Sequence, residues 1–158
     1  MELNQASQMQ IYCNIDFYDR YKLICDLHQF ENTFENVSKT EVLDILNQNG
    51  YTAKYLKNGG FFKINEMLNG IKFYFNFSLK YGLVELIIGA TDFKTDRLIM
   101  GGTFGNISDD IEHSKNVSSN KKLFLPSFRN YGDLTIILNK ALLIYEDFKK
   151  ELLSLACE

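Results

Sequence analysis

Alternating apolar and polar side chains from Ile71 to Lys80 constrain the fold of this chain more than any other feature. The apolar positions of this run are Ile71, Phe73, Phe75, Phe77 and Leu79. A period of two residues predicts a strand with one buried and one solvated face. Asn69-Gly70 directly precedes the run and is a strong signal for a tight hairpin turn. The run is therefore predicted to be one strand of an antiparallel sheet.

Strand-like segments also lie on both sides of this run, and glycine-containing or polar turns separate them. They are Phe61 to Met67, Leu83 to Ala90 and Arg97 to Phe104. Consecutive strands joined by short turns pair with one another in antiparallel fashion. The middle of the chain is therefore predicted to be an antiparallel meander of about four strands.

Helical periodicity marks both ends of the chain. Apolar spacing over Gln8 to Phe30 predicts one long helix or two abutting ones. Ser38-Lys39-Thr40-Glu41 reads as a capping box, in which Ser38 accepts from the Glu41 N–H and Glu41 reaches back to the Ser38 N–H. Asn130 is the expected N-cap of a final helix from Tyr131 to about Leu155. We expect a single α+β domain over residues 1–158, with this C-terminal helix packed on the sheet.

A polar segment from Gly105 to Lys122 separates the sheet from the final helix. It is rich in Ser, Asn and Lys, and it is predicted to be a long loop with at most one short helical turn, over Ile107 to His113. Structureless segments of this length are uncommon inside a compact domain and often carry function. Its acidic residues are therefore candidates for binding.

The charge of the chain is unevenly distributed. The net charge is −3, and residues 1–50 carry eight acids and three bases. An acidic surface suits a basic partner, whereas non-specific nucleic-acid binding requires an excess of Lys and Arg. Tyr74 lies on the polar side of its strand, where RNA-binding sheets stack bases. The acidic balance nevertheless argues against a nucleic-acid partner.

The cysteines and the first residues indicate a cytoplasmic protein. The three cysteines, Cys13, Cys25 and Cys157, include no CxxC pair, which is typical of free thiols in a reducing compartment. The polar N-terminal segment has neither the basic nor the apolar region of a signal peptide. No apolar run approaches the length of a membrane span.

The residues show no recognisable catalytic set. Cys25 and His28 are spaced to meet on a helix, but a third group to orient them is missing from the pattern. His113 lies among acidic residues, which is more typical of a solvated turn that caps a helix than of a metal site. Asp92 and Asp96 flank a turn, where Asp normally bonds its own backbone. We therefore expect no enzyme, no metal and no cofactor.

Acidic side chains are the favoured binding residues. Asp109, Asp110 and Glu112 lie in the polar segment, and Asp16 and Asp19 lie in the first helical region. Carboxylates grouped in this way can dock on a basic protein surface such as a nuclease cleft. The remaining candidate, on the solvated face of the sheet, is Tyr74.

Two segments of the C-terminal half carry a family resemblance, namely Phe124 to Tyr131 and Leu143 to Leu152. They are similar to segments of bacterial immunity proteins. Together with the small acidic α+β pattern, they resemble proteins that neutralise toxins of contact-dependent growth inhibition and related polymorphic toxin systems. The resemblance implies a stoichiometric inhibitor of one secreted toxin domain, often a nuclease, acting as a monomer or weak homodimer. It carries no motif from which binding residues can be transferred.

Two other functions fit the same pattern. An acidic secretion chaperone is also a small α+β protein, and it holds an extended effector segment in hydrophobic grooves. A small ligand-binding or enzymatic domain would instead use a pocket between the sheet and the terminal helix.

Overall fold

An antiparallel sheet forms the centre of the computed structural model, which describes residues 1–116 and 123–157. Its strands lie in sequential order and are β1 (Ala53–Leu56), β2 (Phe61–Leu68), β3 (Ile71–Lys80), β4 (Leu83–Asp92) and β5 (Leu98–Thr103). The helices of the described residues are α1 (Gln5–Asn14), α2 (Phe17–Leu27), α3 (Lys39–Gln48), α4 (Phe104–Ser114) and α5 (Tyr131–Ala156). The predicted α+β architecture is confirmed.

The meander contains one strand more than the sequence indicates. The additional strand is β1, which is four residues long and pairs with β2 from Ala53↔Ile64 to Leu56↔Phe61. Its side chains are half-buried or exposed, so it lacks the clear alternation that marks β3. The predicted hairpin turn is confirmed, because Asn69 and Gly70 both take positive φ, as a type I′ turn requires.

The core lies between one face of the sheet and the helices. Phe73, Phe75 and Phe77 of β3 are fully buried on this face. Phe73 meets Phe148 of α5 edge-on, with ring centroids 6.1 Å apart. Phe75 contacts Phe104 at the start of α4. The terminal helix therefore packs on the sheet, and the polar residues of β3 point to the other side.

The first helical region is two helices that break at Asp16. Asp16 has φ 55° and ψ 43°, a left-handed conformation that Asp tolerates better than most residues. The Asp16 N–H bonds to Cys13 O, and α2 restarts at Phe17. Asp16 is exposed at this corner.

The predicted capping box of α3 forms only in part. Ser38 Oγ accepts from the Glu41 N–H at 3.4 Å, as expected. The Ser38 N–H, however, donates to Tyr131 Oη at 2.9 Å and not to Glu41. A tertiary partner at the start of α5 therefore satisfies that N–H, which sequence spacing alone does not reveal. The predicted N-cap at Asn130 is confirmed by its 2.8 Å bond from the Asp133 N–H.

The prediction of a long loop after the sheet is wrong for its first part. Residues 104–114 form the three-turn helix α4, and Thr103 Oγ1 caps it by accepting from the Asn106 N–H at 3.0 Å. Phe104, Ile107 and Ile111 form its buried side. Numerous polar residues between these positions hide their helical spacing. The last part of the predicted loop, residues 117–122, lies outside the described residues.

No helix within residues 1–116 and 123–157 combines the length and the apolar character that crossing a membrane requires.

Candidate functional site

Helices α2 and α4 lie side by side over the sheet. The Phe17 and Phe104 rings are 4.9 Å apart, and the Tyr21 and Phe104 rings are 5.3 Å apart. These aromatic contacts join two segments that are distant in sequence. The exposed sides of the two helices consequently form one continuous surface.

The tyrosine between these helices organises the acidic residues. Tyr18 donates from its hydroxyl to the Glu112 carboxylate, which links α2 to α4. Desolvation, this hydrogen bond and the nearby charges of Glu112, Asp19 and Asp109 raise the pKa of Tyr18 to about 12. The two predicted acidic groups are therefore brought together around one phenol.

A small cleft beside Tyr18 adds one more carboxylate. It has a volume of about 40 Å³, and Asp16, Asp19 and Lys115 are among the residues that line it. We use the name acidic surface for the four carboxylates at this joint between α2 and α4, namely Asp16, Asp19, Asp109 and Glu112. Among the ion pairs of the described residues, none involves these four.

Two predicted binding residues lie apart from the acidic surface. Asp110 follows Asp109 by about 100° around α4. Its charge acts on Tyr12 of α1, whose pKa is raised mainly by burial, then by interaction with Tyr74 and then by Asp110. Tyr74 belongs to the opposite face of the sheet, where its phenol occupies the space that a side chain at Gly89 would take. The structure therefore does not bring Tyr74 together with the acids.

A pocket of about 260 Å³ lies beside the start of α4. Tyr21, Glu85, Asn106 and Asp109 are among its lining residues. Burial raises the pKa of Tyr21, and the charges of Glu85 and Asp109 add to this. Glu85 therefore extends the negative potential of the acidic surface onto β4. The sequence places it on an exposed strand position and offers no signal that it lies near α4.

The candidate nucleophile pair does not have nucleophilic geometry. Burial raises the pKa of the Cys25 thiol to about 11, which disfavours the reactive thiolate. His28 is also buried, and its Nδ1 lies 2.8 Å from Ile24 O. The two side chains thus have separate surroundings. Within residues 1–116 and 123–157, no group of three or more His, Cys, Asp or Glu side chains is arranged to hold a metal ion.

A second polar cluster lies under α5. The ammonium of Lys149 is 2.7 Å from Glu66 and 2.8 Å from Glu146, and Tyr51 donates to Glu146 at 2.6 Å. Burial alone would raise the pKa of Glu146, but the hydrogen bonds from Lys149 and Tyr51 outweigh it and lower that pKa. The charges satisfy one another, so the cluster joins α5 to β2.

An apolar groove runs between α2 and α5. It has a volume of about 120 Å³, and its lining includes Leu23 and Leu143 together with Arg20 and Lys140. Leu23 is 52% exposed and Leu143 is 60% exposed. Exposed apolar surface of this kind can hold a short apolar segment of another chain.

Comparisons with protein-family models, with curated proteins and with solved structures give no match. What these surfaces can bind is therefore inferred from their geometry and electrostatics.

Proposed function

We propose that the chain is a cytoplasmic immunity protein, which binds a basic toxin domain through the acidic surface of α2 and α4. One observation carries this proposal. Carboxylates from two segments about ninety positions apart in the chain converge on one joint, where Tyr18 bonds Glu112 across 94 positions.

The acidic carboxylates are available for intermolecular pairing. Asp16, Asp19 and Asp109 are exposed, and they lack ion-pair partners among the described residues. Docking a basic partner there breaks no ion pair seen among residues 1–116 and 123–157. Opposite charges speed diffusional encounter by roughly 10- to 1000-fold, and pairs that become buried add coupling energy.

The inhibition follows from the chemistry of nuclease clefts. Such clefts are basic because they bind phosphates, and carboxylates held on a rigid helix pair can occupy the phosphate positions. The toxin would then be blocked without any reaction, one inhibitor per toxin. The identity of the partner as a secreted toxin rests on the resemblance of the C-terminal segments to immunity proteins.

The proposal predicts that the adjacent upstream reading frame encodes a toxin domain, and co-purification with that domain tests this function. The native chain is expected to form a one-to-one complex and to protect cells that express the toxin. The charge-reversed variant Asp19→Lys/Asp109→Lys/Glu112→Lys is expected to lose both properties. Glu31→Lys/Glu35→Lys/Asp44→Lys is the matched control, since it changes the net charge equally at exposed positions elsewhere. Full protection by the first variant would contradict the proposal.

The groove between α2 and α5 supports a second candidate, a secretion chaperone. Such a protein would hold an extended effector segment against Leu23 and Leu143. Leu23→Lys/Leu143→Lys would then abolish capture of that segment, whereas reversal of the acidic surface would leave capture unchanged. The opposite result favours the immunity protein.

A further inference from the structure

The face of the sheet opposite the helices carries a group of lysines. Pairing and alternation place four of them on this face, namely Lys54, Lys63, Lys72 and Lys80. Among the described strand residues, Glu85 borders this face at the β4 edge, where it also lines the pocket beside α4. None of the four lysines belongs to an ion pair of the described residues. We call these residues and the polar side chains between them the lysine face.

The lysines are arranged as a track. Lys54 lies directly opposite Lys63 on the neighbouring strand, where like charges repel. Lys72 and Lys80 lie eight residues apart on β3, a distance of about 27 Å at the rise of an antiparallel strand. A polyanion lying along β3 would relieve this repulsion and meet positive charge at both ends.

Tyr74 lies on that track, two residues from Lys72 and six residues from Lys80. Its cross-strand neighbour is Gly89, and Gly89 pairs with Gly101 on β5. The Tyr74 ring leans over Gly89, and it stays half-buried. Because Gly89 has no side chain, the Tyr74 ring occupies that space against the sheet, and a flat group can stack on the part of the ring that remains exposed.

Two polar side chains in the cross-strand pairs on either side of Tyr74 have unused hydrogen-bonding capacity. Asn76 Oδ1 and Thr91 Oγ1 are buried without a hydrogen-bond partner in the described part of the chain. Asn76 is two residues from Tyr74 on β3, and Thr91 is two residues from Gly89 on β4. Folded proteins leave few such groups unpaired unless water or a ligand completes them.

The geometry points to single-stranded nucleic acid as the ligand of the lysine face. The lysines would contact phosphates while a base stacks on Tyr74. An acidic protein surface would also pair with the lysines, but it would make no use of the half-buried Tyr74 ring between them. The acidic net charge of the chain averages two oppositely charged faces, so it does not describe this one. The site is separate from the acidic surface and goes beyond the proposed immunity function.

Fluorescence anisotropy with a labelled oligothymidylate of about twelve nucleotides tests this inference at low salt. The native chain is expected to bind it more tightly than a duplex of the same length. Lys63→Gln and Lys72→Gln should each reduce the slope of log affinity against log salt by about 0.7. Tyr74→Leu should weaken binding roughly 5- to 100-fold, whereas Tyr74→Phe should retain it. Thermal melting checks that each variant is folded.

Lys22→Gln is the matched control, because Lys22 lies on α2 and pairs with Asp26. It should leave oligonucleotide binding unchanged. Absence of binding at low salt would overturn the inference. The inference would also fail if Tyr74→Leu bound the labelled oligonucleotide as tightly as the native chain does, and if polyphosphate or polyglutamate displaced it as well as unlabelled oligonucleotide does. The face would then accept any polyanion.

Discussion

Lys149 carries a charge that is almost fully removed from water. Its side chain is 7% exposed, and Glu66 and Glu146 both contact its ammonium. Lys149 follows Phe148, which is one of the buried apolar residues of α5. The sequence therefore indicates only a cation late in a helix, where its charge interacts favourably with the helix dipole. Its burial depends on the position of Glu66 on β2, which no local pattern contains.

Truncation of Lys149 should be costly to stability. Lys149→Ala leaves Glu66 and Glu146 facing each other without a cation, and it should lower the free energy of unfolding by about 3 kcal/mol. Lys150→Ala, at the exposed neighbouring position, should change it by less than about 0.5 kcal/mol. Urea unfolding of both variants measures the difference. Equal effects would show that the pairing contributes nothing.

Asp133 links the start of α5 to the segment before it. Its carboxylate accepts from the Arg129 N–H at 3.0 Å and from Arg129 Nε at 2.8 Å. The Arg129 guanidinium also lies 3.8 Å from the centroid of the Phe30 ring. The hydrogen bonds from Arg129 lower the pKa of Asp133 against the opposing effect of burial. The sequence indicates Asp133 as a favourable first-turn acid, but not its pairing.

This pKa shift predicts a pH-dependent effect of Asp133→Asn. A lowered folded-state pKa means that the carboxylate stabilises the fold above its unfolded pKa of about 3.9, and that this contribution is lost as the pH falls through the folded pKa. The variant should be less stable than the native chain by about 1–3 kcal/mol at pH 7, and this difference should shrink as the pH falls below about 3.9. A difference that persists in acid would contradict this cause.

Helix α4 shows where sequence patterns stop being informative. Strand β3 was predictable because its alternation is uninterrupted over ten residues. Helix α5 was predictable because its N-cap and the helical spacing of its apolar residues both indicate the same element. The buried positions of α4 are separated by Gly, Asn, Ser and Asp, which favour turns. Packing against α2 and the sheet overrides those local preferences. The acids of α4 consequently have a rigid support.

The N-cap of α4 should be required for that rigidity. Thr103→Ala removes the acceptor for the Asn106 N–H and should lower stability by about 1 kcal/mol, whereas Thr103→Ser should retain it. Hydrogen exchange should accelerate at the α4 amides in the alanine variant alone. Unchanged exchange there would mean that tertiary packing by itself fixes the start of the helix.

Charge is separated between the two sides of the protein. The acidic surface lies on the helical layer, and the lysine face lies on the open side of the sheet. The sequence shows the uneven charge along the chain, and it identifies Asp19, Asp109 and Glu112 individually. Their convergence depends on how α2 packs against α4, and this packing is non-local. The position of Tyr74 among lysines likewise follows from strand register and not from its neighbours in the chain.

The association rate with the proposed toxin domain, measured against ionic strength, tests the proposed function most directly. The native chain should associate quickly at low salt and slow steeply as salt rises. Asp19→Lys/Asp109→Lys/Glu112→Lys should associate at least about tenfold more slowly at low salt, with little salt dependence. The Glu31→Lys/Glu35→Lys/Asp44→Lys control should keep most of the native rate. Equal rates for the native chain and the first variant at every salt concentration would contradict binding through the acidic surface.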